Sequence, residues 1–212
     1  MSRRKPLSRC ETCKMRKEIC ICAEAAICRE VTQDFSTKIF VIMHHREKHL
    51  TTNTARLAQL GIETCKIRMR GLPNSTLNTE GFFEEARKTL LLFPSDDAAV
   101  LSSEYLSSID KPINLLVPDG SWRQAAKTHK RELHLKDVAR VKLPLGKLSE
   151  YKLRREPKAE GLATFEAIMR ALEIIEGQHG QPELKQMFTK MVEGTLRSRM
   201  GGPLPAPPSF NL

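Results

Sequence analysis

Residues 115–122 read Leu115-Leu116-Val117-Pro118-Asp119-Gly120-Ser121-Trp122, and this stretch decides the fold. Its apolar beginning is typical of a buried parallel strand. Gly120 permits a sharp bend or the close approach of a ligand. Ser121 is a residue type that caps helices. We therefore predict a strand at Ile113–Val117 that leads through a tight turn into a helix at Trp122–Leu133.

Similar patterns extend on both sides of this stretch. Further strands are predicted at Lys38–Met43, Thr64–Met69, Ala98–Leu101 and Val138–Leu143. Helices are predicted from Thr51 or Thr52 to Leu60, and at Glu80–Leu92, Leu162–Ile175 and Pro182–Arg199. Alternating strands and helices predict an α/β domain, with a mostly parallel sheet and helices on both faces. No glycine-rich dinucleotide or phosphate loop follows any strand, which argues against nucleotide binding by those routes.

The charge balance favours a polyanionic partner. The 212 residues carry 35 Lys and Arg against 25 Asp and Glu, a formal net charge of +10. Nucleic acid is a better candidate than an anionic membrane surface, because the sequence has no basic amphipathic helix that could anchor it to a membrane. A basic enzyme without a polyanionic partner is the alternative. No apolar run is long enough to span a membrane, and no signal peptide is recognisable. We expect a cytoplasmic protein without a membrane partner.

The chain divides into three parts by composition. Residues 1–34 are basic and rich in cysteine, residues 35–200 carry the strand and helix patterns, and residues 201–212 form a Pro-rich, flexible tail. Within the first part, Cys10, Cys13, Cys20 and Cys22 form a C-x2-C-x6-C-x-C array. Four close thiolates suit a structural Zn²⁺. Paired disulfides and a redox dithiol are the alternatives, and a reducing cytosol disfavours disulfides.

The turn after the 113–117 strand holds the first candidate site. Ligands of open parallel sheets bind beyond the carboxyl ends of the strands, where Asp119 lies, so we assign this carboxylate a function. Ser121 is either a helix cap or a catalytic group. Trp122 either stacks on a base or packs in the core. Basic residues follow at helical spacing, Arg123, Lys127, Lys130 and His134, with Arg131 beside them; they are either a track for RNA phosphates or a solvated surface.

Two other loops are expected at the same edge. The loop from His44 to Thr54 joins a strand end to a helix start, and with Arg46 it is a candidate anion site. Its histidines lack the spacing typical of zinc enzymes. The loop at 144–160 is long for a compact domain, which is typical of a functional segment. Its Arg154 and Arg155 are candidates to bind a carboxylate or an RNA phosphate.

Together these residues resemble the DTW-domain family, specifically its tRNA-uridine aminocarboxypropyltransferases. The matching motifs are the cysteine array, His44-x-Arg46-Glu47 with Thr52-Asn53-Thr54-x-Arg56-Leu57, the D-x-[TS]-W turn, and Tyr151-x-Leu153-Arg154 with Leu162-Ala163-Thr164-x-Glu166-Ala167. They run from Cys10 to about Ala171. Two positions depart from the family pattern: Ser121 stands where threonine is usual, and His45 where proline is usual.

The resemblance implies a SPOUT-like fold with a C-terminal trefoil knot. It also implies S-adenosylmethionine as the donor and tRNA as the partner, with transfer of a 3-amino-3-carboxypropyl group to N3 of a uridine. Asp119 would be the base, and Arg46 or Arg154 would bind the donor carboxylate. The adenosine would be walled by Leu116, Val117, Pro118, Leu143, Leu145, Leu162 and Ala163, with the Thr164 hydroxyl beside them. Contacts to tRNA would come from His44, Arg46, Arg56, Arg123, Lys127 and Lys130.

Two other functions fit the sequence. An RNA methyltransferase of the same fold would use the same donor but transfer its methyl group. A non-catalytic, zinc-containing RNA-binding module would explain the charge and the cysteines, but it would leave the three converging loops without a role. The oligomeric state, the particular uridine and an RNA contact by the cysteine segment are left open.

Overall fold

The computed structural model describes residues 8–50, 53–146, 148–151, 153 and 161–200. The strands are β1 (Lys38–His44), β2 (Cys65–Arg70), β3 (Lys88–Leu92), β4 (Ala99–Val100), β5 (Ile113–Asp119) and β6 (Ala139–Lys142). The α-helices are α1 (Cys22–Val31), α2 (Ala55–Gly61), α3 (Ser103–Ser107), α4 (Trp122–Arg131), α5 (Thr164–Ile175) and α6 (Gln181–Met200). The chain is thus an α/β protein, as predicted.

All six strands form one sheet in the order β2-β1-β5-β3-β6-β4, and every pair is parallel. The carboxyl ends of parallel strands meet at one edge, so the loops that follow them share that edge. β5 lies centrally, and its register places Asp119 beside Met43 of β1. The acidic turn therefore sits in the middle of the edge that ligands use in such sheets.

The two faces of the sheet are covered differently. Successive residues of a strand point to opposite faces. Leu115 belongs to the main core cluster with residues of α1, α2, α5 and α6, whereas Leu116 belongs to a smaller cluster with Ala125 of α4 and Phe82. One face is therefore packed mainly by helices, and the other by α4 and an irregular segment.

The cysteine-bearing segment packs directly on the main core. Met15, Ile19 and Ile21 are buried in the same cluster as the sheet, and α1 contacts both α2 and α6. Gly194 of α6 allows the close approach, since a Cβ there would lie 3.0 Å from the Ile19 Cβ. The division of the chain at residue 34 remains a compositional prediction.

The predicted helix at Glu80–Leu92 is wrong. Lys88–Leu92 forms β3, hydrogen-bonded between β5 and β6, and turns precede it. Phe82 and Leu90 have helical spacing in sequence, but Phe82 packs on Phe40 of β1, and Leu90 faces the main core. Pairing with strands distant in sequence outweighed this local pattern, because it buries the apolar run on both faces.

The remaining differences are modest. The helix that follows Asp119 ends at Arg131 rather than Leu133, and a 3-10 turn covers Leu133–Leu135. Helices α1 and α3 were not predicted. Thr51, Thr52 and the tail at 201–212 lie outside the described residues. Among the described helices, none combines the length and the apolarity that crossing a bilayer requires.

Candidate active site at the carboxyl edge of the sheet

A cavity of about 540 Å³ opens at this edge of the sheet, a size in the range of small-molecule sites. Its walls come from the segments that follow β1, β3, β5 and β6 and from the start of α5. The described lining consists of Glu47, Asn53, Thr54, Leu92, Phe93, Pro94, Val117, Pro118, Asp119, Gly120, Ser121, Trp122, Ala125, Lys142, Leu143, Pro144, Leu145, Gly146, Leu148, Tyr151, Leu162, Ala163, Thr164, Ala167 and Arg170. The three loops predicted to converge therefore meet around one cavity.

The side chain of Asp119 forms hydrogen bonds that connect three of these segments. Its side chain is 7% exposed. The Asn53 amide donates a hydrogen bond of 2.8 Å to Oδ2, and the Thr164 hydroxyl donates one of 2.5 Å to Oδ1. The loop after β1, the end of β5 and the first turn of α5 thus converge on this carboxylate, which lines the cavity.

The hydrogen bonds of Asn53 determine which of its side-chain atoms faces Asp119. The Oδ1 atom of Asn53 accepts the backbone N–H of Ala55 at 2.9 Å, so its Nδ2 must be the atom facing Asp119. An amide nitrogen can only donate. The facing oxygen, Oδ2 of Asp119, therefore accepts this hydrogen bond. This arrangement suits a group that receives a proton during a reaction.

The first turn of α5 is fixed to the long loop that precedes it. Glu166 is 4% exposed, and its carboxylate accepts three hydrogen bonds from the described residues of that loop. The donors are the Ser149 hydroxyl at 2.5 Å, the Glu150 backbone N–H at 2.7 Å and the Ala163 backbone N–H at 2.9 Å. The carboxylate of Glu166 thereby holds Thr164, which follows Ala163, in position beside Asp119.

The turn between β5 and α4 has a backbone that requires glycine. Gly120 has a φ of +149°, and a Cβ there would lie 2.9 Å from the Gln124 Oε1. Ser121 caps α4 by accepting the Gln124 backbone N–H, and Gln124 Oε1 accepts the Ser121 N–H at 2.7 Å. Ser121 is thus engaged as a helix cap, and it also lines the cavity.

Gln124 also connects this turn to the loop after β1. Its Nε2 lies 3.2 Å from the His44 Nδ1, and the His44 ring stacks near that of His45 with centroids 4.5 Å apart. Burial is the main cause that lowers the pKa of His44, followed by the charges of His45 and Arg70. A neutral His44 ring suits this hydrogen bond to an amide.

Trp122 has a mixed environment. It is partly buried against the smaller core cluster, its ring centroid lies 6.3 Å from that of Phe93, and it lines the cavity. Both sequence interpretations therefore apply to one side chain, which packs on the core and faces the cavity.

Most of the residues predicted to wall a donor line this cavity. Those that do are Val117, Pro118, Leu143, Leu145, Leu162, Ala163 and Thr164. Leu116 does not line it, because it lies three residues before the end of β5 and its side chain is fully buried in the smaller core cluster. Leu145 is 89% exposed, so it lies at the mouth. Arg154 lies outside the described residues.

None of the residues predicted to contact RNA belongs to the described cavity lining. Arg123, Lys127 and Lys130 are exposed along α4, and no ion pair occupies them within the described part of the chain. Arg46 is exposed in the loop after β1, where His44 also lies. Arg56 donates to the Lys48 carbonyl and so supports that loop.

Sequence reasoning missed several side chains of the cavity. They are Glu47, Phe93, Lys142, Tyr151 and Arg170, together with Asn53, which was quoted in a motif without a role. One signal was available for Lys142, a charged residue near the carboxyl end of a predicted strand. Phe93 could not be placed because β3, which precedes it, was read as a helix.

The four cysteines form a second candidate site. Their sulfurs all lie within 4.8 Å of one another. The Cys10 and Cys22 sulfurs are 3.5 Å apart, and those of Cys13 and Cys20 are 3.7 Å apart. Four sulfurs about 2.3 Å from one tetrahedral ion are separated by about 3.8 Å, so these distances suit a metal and exceed any disulfide bond.

A hairpin holds the first two sulfurs. Cys10 and Met15 pair through the backbone, and Lys14 adopts a φ of +61° at the bend. The backbone N–H groups of Cys13 and Thr12 lower the pKa of Cys10 to about 6. Burial raises the pKa of Cys13 and of Cys22. A bound cation would compensate this burial cost by stabilising the thiolates.

Comparisons with known proteins identify the family of this chain. The profile of the family described as "DTW domain" matches residues 7–196. A tRNA-uridine aminocarboxypropyltransferase 2 of Drosophila melanogaster is 28% identical over 187 residues, which cover 86% of this chain and 71% of the relative. A tRNA-uridine aminocarboxypropyltransferase A of Arabidopsis thaliana is 28% identical over 211 residues, with coverage of 86% and 79%.

A tRNA-uridine aminocarboxypropyltransferase 2 of Macaca fascicularis is 28% identical to this chain over 171 residues, which cover 79% of this chain and 56% of that protein. Among solved structures, a SAM-dependent rRNA acp-transferase from Vulcanisaeta distributa has a TM-score of 0.47 and 18% identity, covering 77% of this chain and 80% of the other.

Proposed function

This chain belongs to the DTW domain family, and from that premise we propose that it is a tRNA-uridine aminocarboxypropyltransferase. It would move the 3-amino-3-carboxypropyl group of S-adenosylmethionine to N3 of a tRNA uridine. Relatives in animals and a plant carry this activity in their names. The observation that carries the proposal is Asp119, a buried carboxylate with its two oxygens hydrogen-bonded, at the wall of a cavity large enough for a nucleoside-sized donor.

The cavity has the chemistry that such a donor needs. Apolar residues of the segments after β3, β5 and β6 offer surfaces for the adenosine. Asp119 and Glu47 supply negative charge on the β1 and β5 side, which suits a sulfonium. Binding would place the donor Cγ beside the acceptor, because the protein selects the transferred group by orienting one of three electrophilic carbons.

Transfer of the aminocarboxypropyl group requires one base, which removes the proton from the acceptor nitrogen. Uridine N3 carries a hydrogen and is a poor nucleophile until that proton leaves. Asp119 accepts the proton as N3 bonds to Cγ, the Cγ–S bond breaks, and its electron pair leaves on sulfur as neutral 5'-methylthioadenosine. The Asn53 amide donates a hydrogen bond to Oδ2 of Asp119, and the Thr164 hydroxyl donates one to Oδ1. Asn53 and Thr164 thus position the base.

The acceptor must reach the cavity unpaired. N3 of a uridine is occupied by base pairing within a duplex, so loop or single-stranded RNA is expected. The exposed Arg123, Lys127 and Lys130 would contact phosphates along α4, since α4 starts at the cavity wall. Arg46 and His44 would extend this contact to the loop after β1, while Trp122 offers a ring near the mouth for stacking.

Several finer points are part of the same proposal. The cysteine cluster would hold a structural Zn²⁺, because four thiolates with this spacing suit that ion. A cytoplasmic location belongs to the same proposal, because the cytosol keeps thiols reduced and so available to a metal. The SPOUT-like trefoil knot stays a prediction, since the loop that would form it includes positions beyond the described residues.

One reaction tests the proposed function. The purified chain is incubated with unmodified tRNA and S-adenosylmethionine, and both products are analysed by mass spectrometry. We expect an aminocarboxypropyl adduct on a uridine together with 5'-methylthioadenosine. A methyl adduct with S-adenosylhomocysteine would assign a methyltransferase instead. Tight tRNA binding without donor binding would assign a non-catalytic RNA-binding module.

A further inference from the structure

We propose that Lys142, at the end of β6, binds the carboxylate of the donor's methionine moiety. This inference rests on the proposed function and deepens it. Lys142 lines the cavity and is half-buried. The sequence had pointed to Arg46 or Arg154 for this role. Arg46 is exposed and does not belong to the described lining, which leaves the carboxylate without a partner from that loop.

The charges of the cavity are separated across the sheet. Its described lining contains two acidic residues, Glu47 and Asp119, and two basic ones, Lys142 and Arg170. The acidic pair lies at the ends of β1 and β5. Lys142 ends β6, and β3 lies between β5 and β6, so two strand spacings, or about 10 Å, separate the two ends. A donor that carries a sulfonium and a carboxylate fits this polarity.

Arg170 is engaged in a structural contact. Its guanidinium donates to the Leu148 carbonyl at 3.5 Å and lies against Gly146, where a Cβ would be 3.4 Å from Nη1. Arg170 therefore supports the loop that follows β6. The Lys142 ammonium has neither a hydrogen bond nor an ion pair to another side chain within the described part of the chain.

The surroundings of Lys142 favour an anionic partner. Leu92 and Phe93 lie on the neighbouring strand and its loop, and Leu143 and Pro144 follow Lys142 directly. A charge that is partly removed from water among apolar groups is stabilised by an opposite charge in contact. A carboxylate would supply that charge and accept a charge-assisted hydrogen bond from Nζ.

The test compares ligands that differ by one carboxylate. Calorimetry without tRNA measures the affinity of wild type and Lys142→Gln for S-adenosylmethionine, for its decarboxylated analogue and for 5'-methylthioadenosine. We expect Lys142→Gln to weaken S-adenosylmethionine binding by about tenfold or more, a typical contribution of a hydrogen bond to a charged group. Affinity for the other two ligands should change less than about twofold.

Two further variants keep the result interpretable. Lys142→Arg retains the charge and should restore most of the affinity for S-adenosylmethionine. Lys66→Gln alters an exposed strand lysine on the opposite edge of the sheet and should change no affinity. Thermal melts of all variants report folding, and the decarboxylated analogue reports an intact cavity.

The outcomes separate this inference from the proposed function. Equal weakening for S-adenosylmethionine and its decarboxylated analogue would overturn the role of Lys142 and leave the transferase proposal intact. If Lys142→Gln weakened tRNA binding but left the donor affinity unchanged, Lys142 would contact an RNA phosphate. That result would also overturn its role in binding the donor carboxylate. Failure of the wild-type chain to bind S-adenosylmethionine would overturn both proposals.

Discussion

The two candidate sites of this protein are built in opposite ways. The cysteine cluster takes all four sulfurs from 13 consecutive residues, Cys10 to Cys22, around one hairpin. The cavity draws its lining from residues that extend from Glu47 to Arg170, across four strand ends and one helix start. A local site needs an ion to hold its ligands together, whereas a distributed site is held by the fold itself. Their responses to substitution should therefore differ.

Asp119→Asn is expected to have the largest effect, because it removes the base from the distributed site while keeping its shape. An amide can still accept from Asn53 and donate to Thr164, so the three segments stay joined. Turnover should fall by about a hundredfold or more, the scale of general-base catalysis. Product formation by mass spectrometry and donor affinity by calorimetry check this. Retained turnover would exclude Asp119 as the base.

Cys13→Ser tests the local site. Cys13 is both a candidate ligand and a buried member of the main core cluster. We expect loss of bound zinc and a Tm lowered by about 5–10 °C, corresponding to about 2–3 kcal/mol for a chain of this size. Elemental analysis and calorimetric melting measure the two effects. The cavity should retain its affinity for S-adenosylmethionine once the variant is folded.

Cys65→Ser is the matched control for that variant. Cys65 is a buried cysteine of β2 outside the cluster, and burial raises the pKa of its thiol. This substitution should lower the Tm while leaving the zinc content at one ion per chain. If Cys13→Ser kept its zinc, the four-sulfur site would be contradicted.

Asn53→Asp tests how the distributed site holds its base. It would place a second carboxylate 2.8 Å from Asp119, where now an amide donates. A neighbouring like charge raises a carboxyl pKa, so Asp119 would take up a proton at higher pH. Since the base acts only when ionised, the acidic limb of the pH–rate profile should move up by about one pH unit or more.

The control for this shift is Asn78→Asp. Asn78 caps an exposed turn by accepting the Glu80 backbone N–H, away from the cavity lining. Its pH–rate profile should match that of the wild type. An unmoved acidic limb in Asn53→Asp would show that the limb reports another group than Asp119.

The double variant Lys127→Glu with Lys130→Glu should have the smallest effect on the cavity, because both residues lie on the exposed face of α4. Affinity for tRNA should weaken by about tenfold, and the salt dependence of binding should lose about two phosphate contacts. Donor affinity should not change. Filter binding across a salt series measures the tRNA affinity and its salt dependence. The double variant Lys66→Glu with Lys111→Glu is the control. An unchanged salt slope would reduce α4 to solvated surface.

The sequence was informative wherever local chemistry decided the structure. The apolar run before Asp119 forms β5, Gly120 takes the backbone that only glycine tolerates easily, and Ser121 caps α4. The cysteine spacing predicted a cluster, and the four sulfurs do lie close together. In these cases the determining contacts lie within a few residues, so the pattern carries nearly all of the information.

Other features depended on partners distant in sequence. The apolar run of Lys88–Leu92 has no local property that distinguishes a buried strand from a helix segment, and only its pairing with β5 and β6 decides. Asn53 and Thr164 flank Asp119 although 66 and 45 positions separate them from it. Leu116 was predicted to wall the cavity, but it is fully buried in a cluster with Phe40 and Phe82, which are distant in sequence.

The sequence alone thus determined an α/β chain with a parallel sheet, an acidic turn at a strand end, and a four-cysteine cluster. The tertiary structure decided which strand lies between β5 and β6, which side chains border the cavity, and which lysine faces it. The physical reason is the range of the interactions. Caps, turns and metal ligands act over a few residues, whereas strand order and cavity walls arise only when distant segments exclude water together.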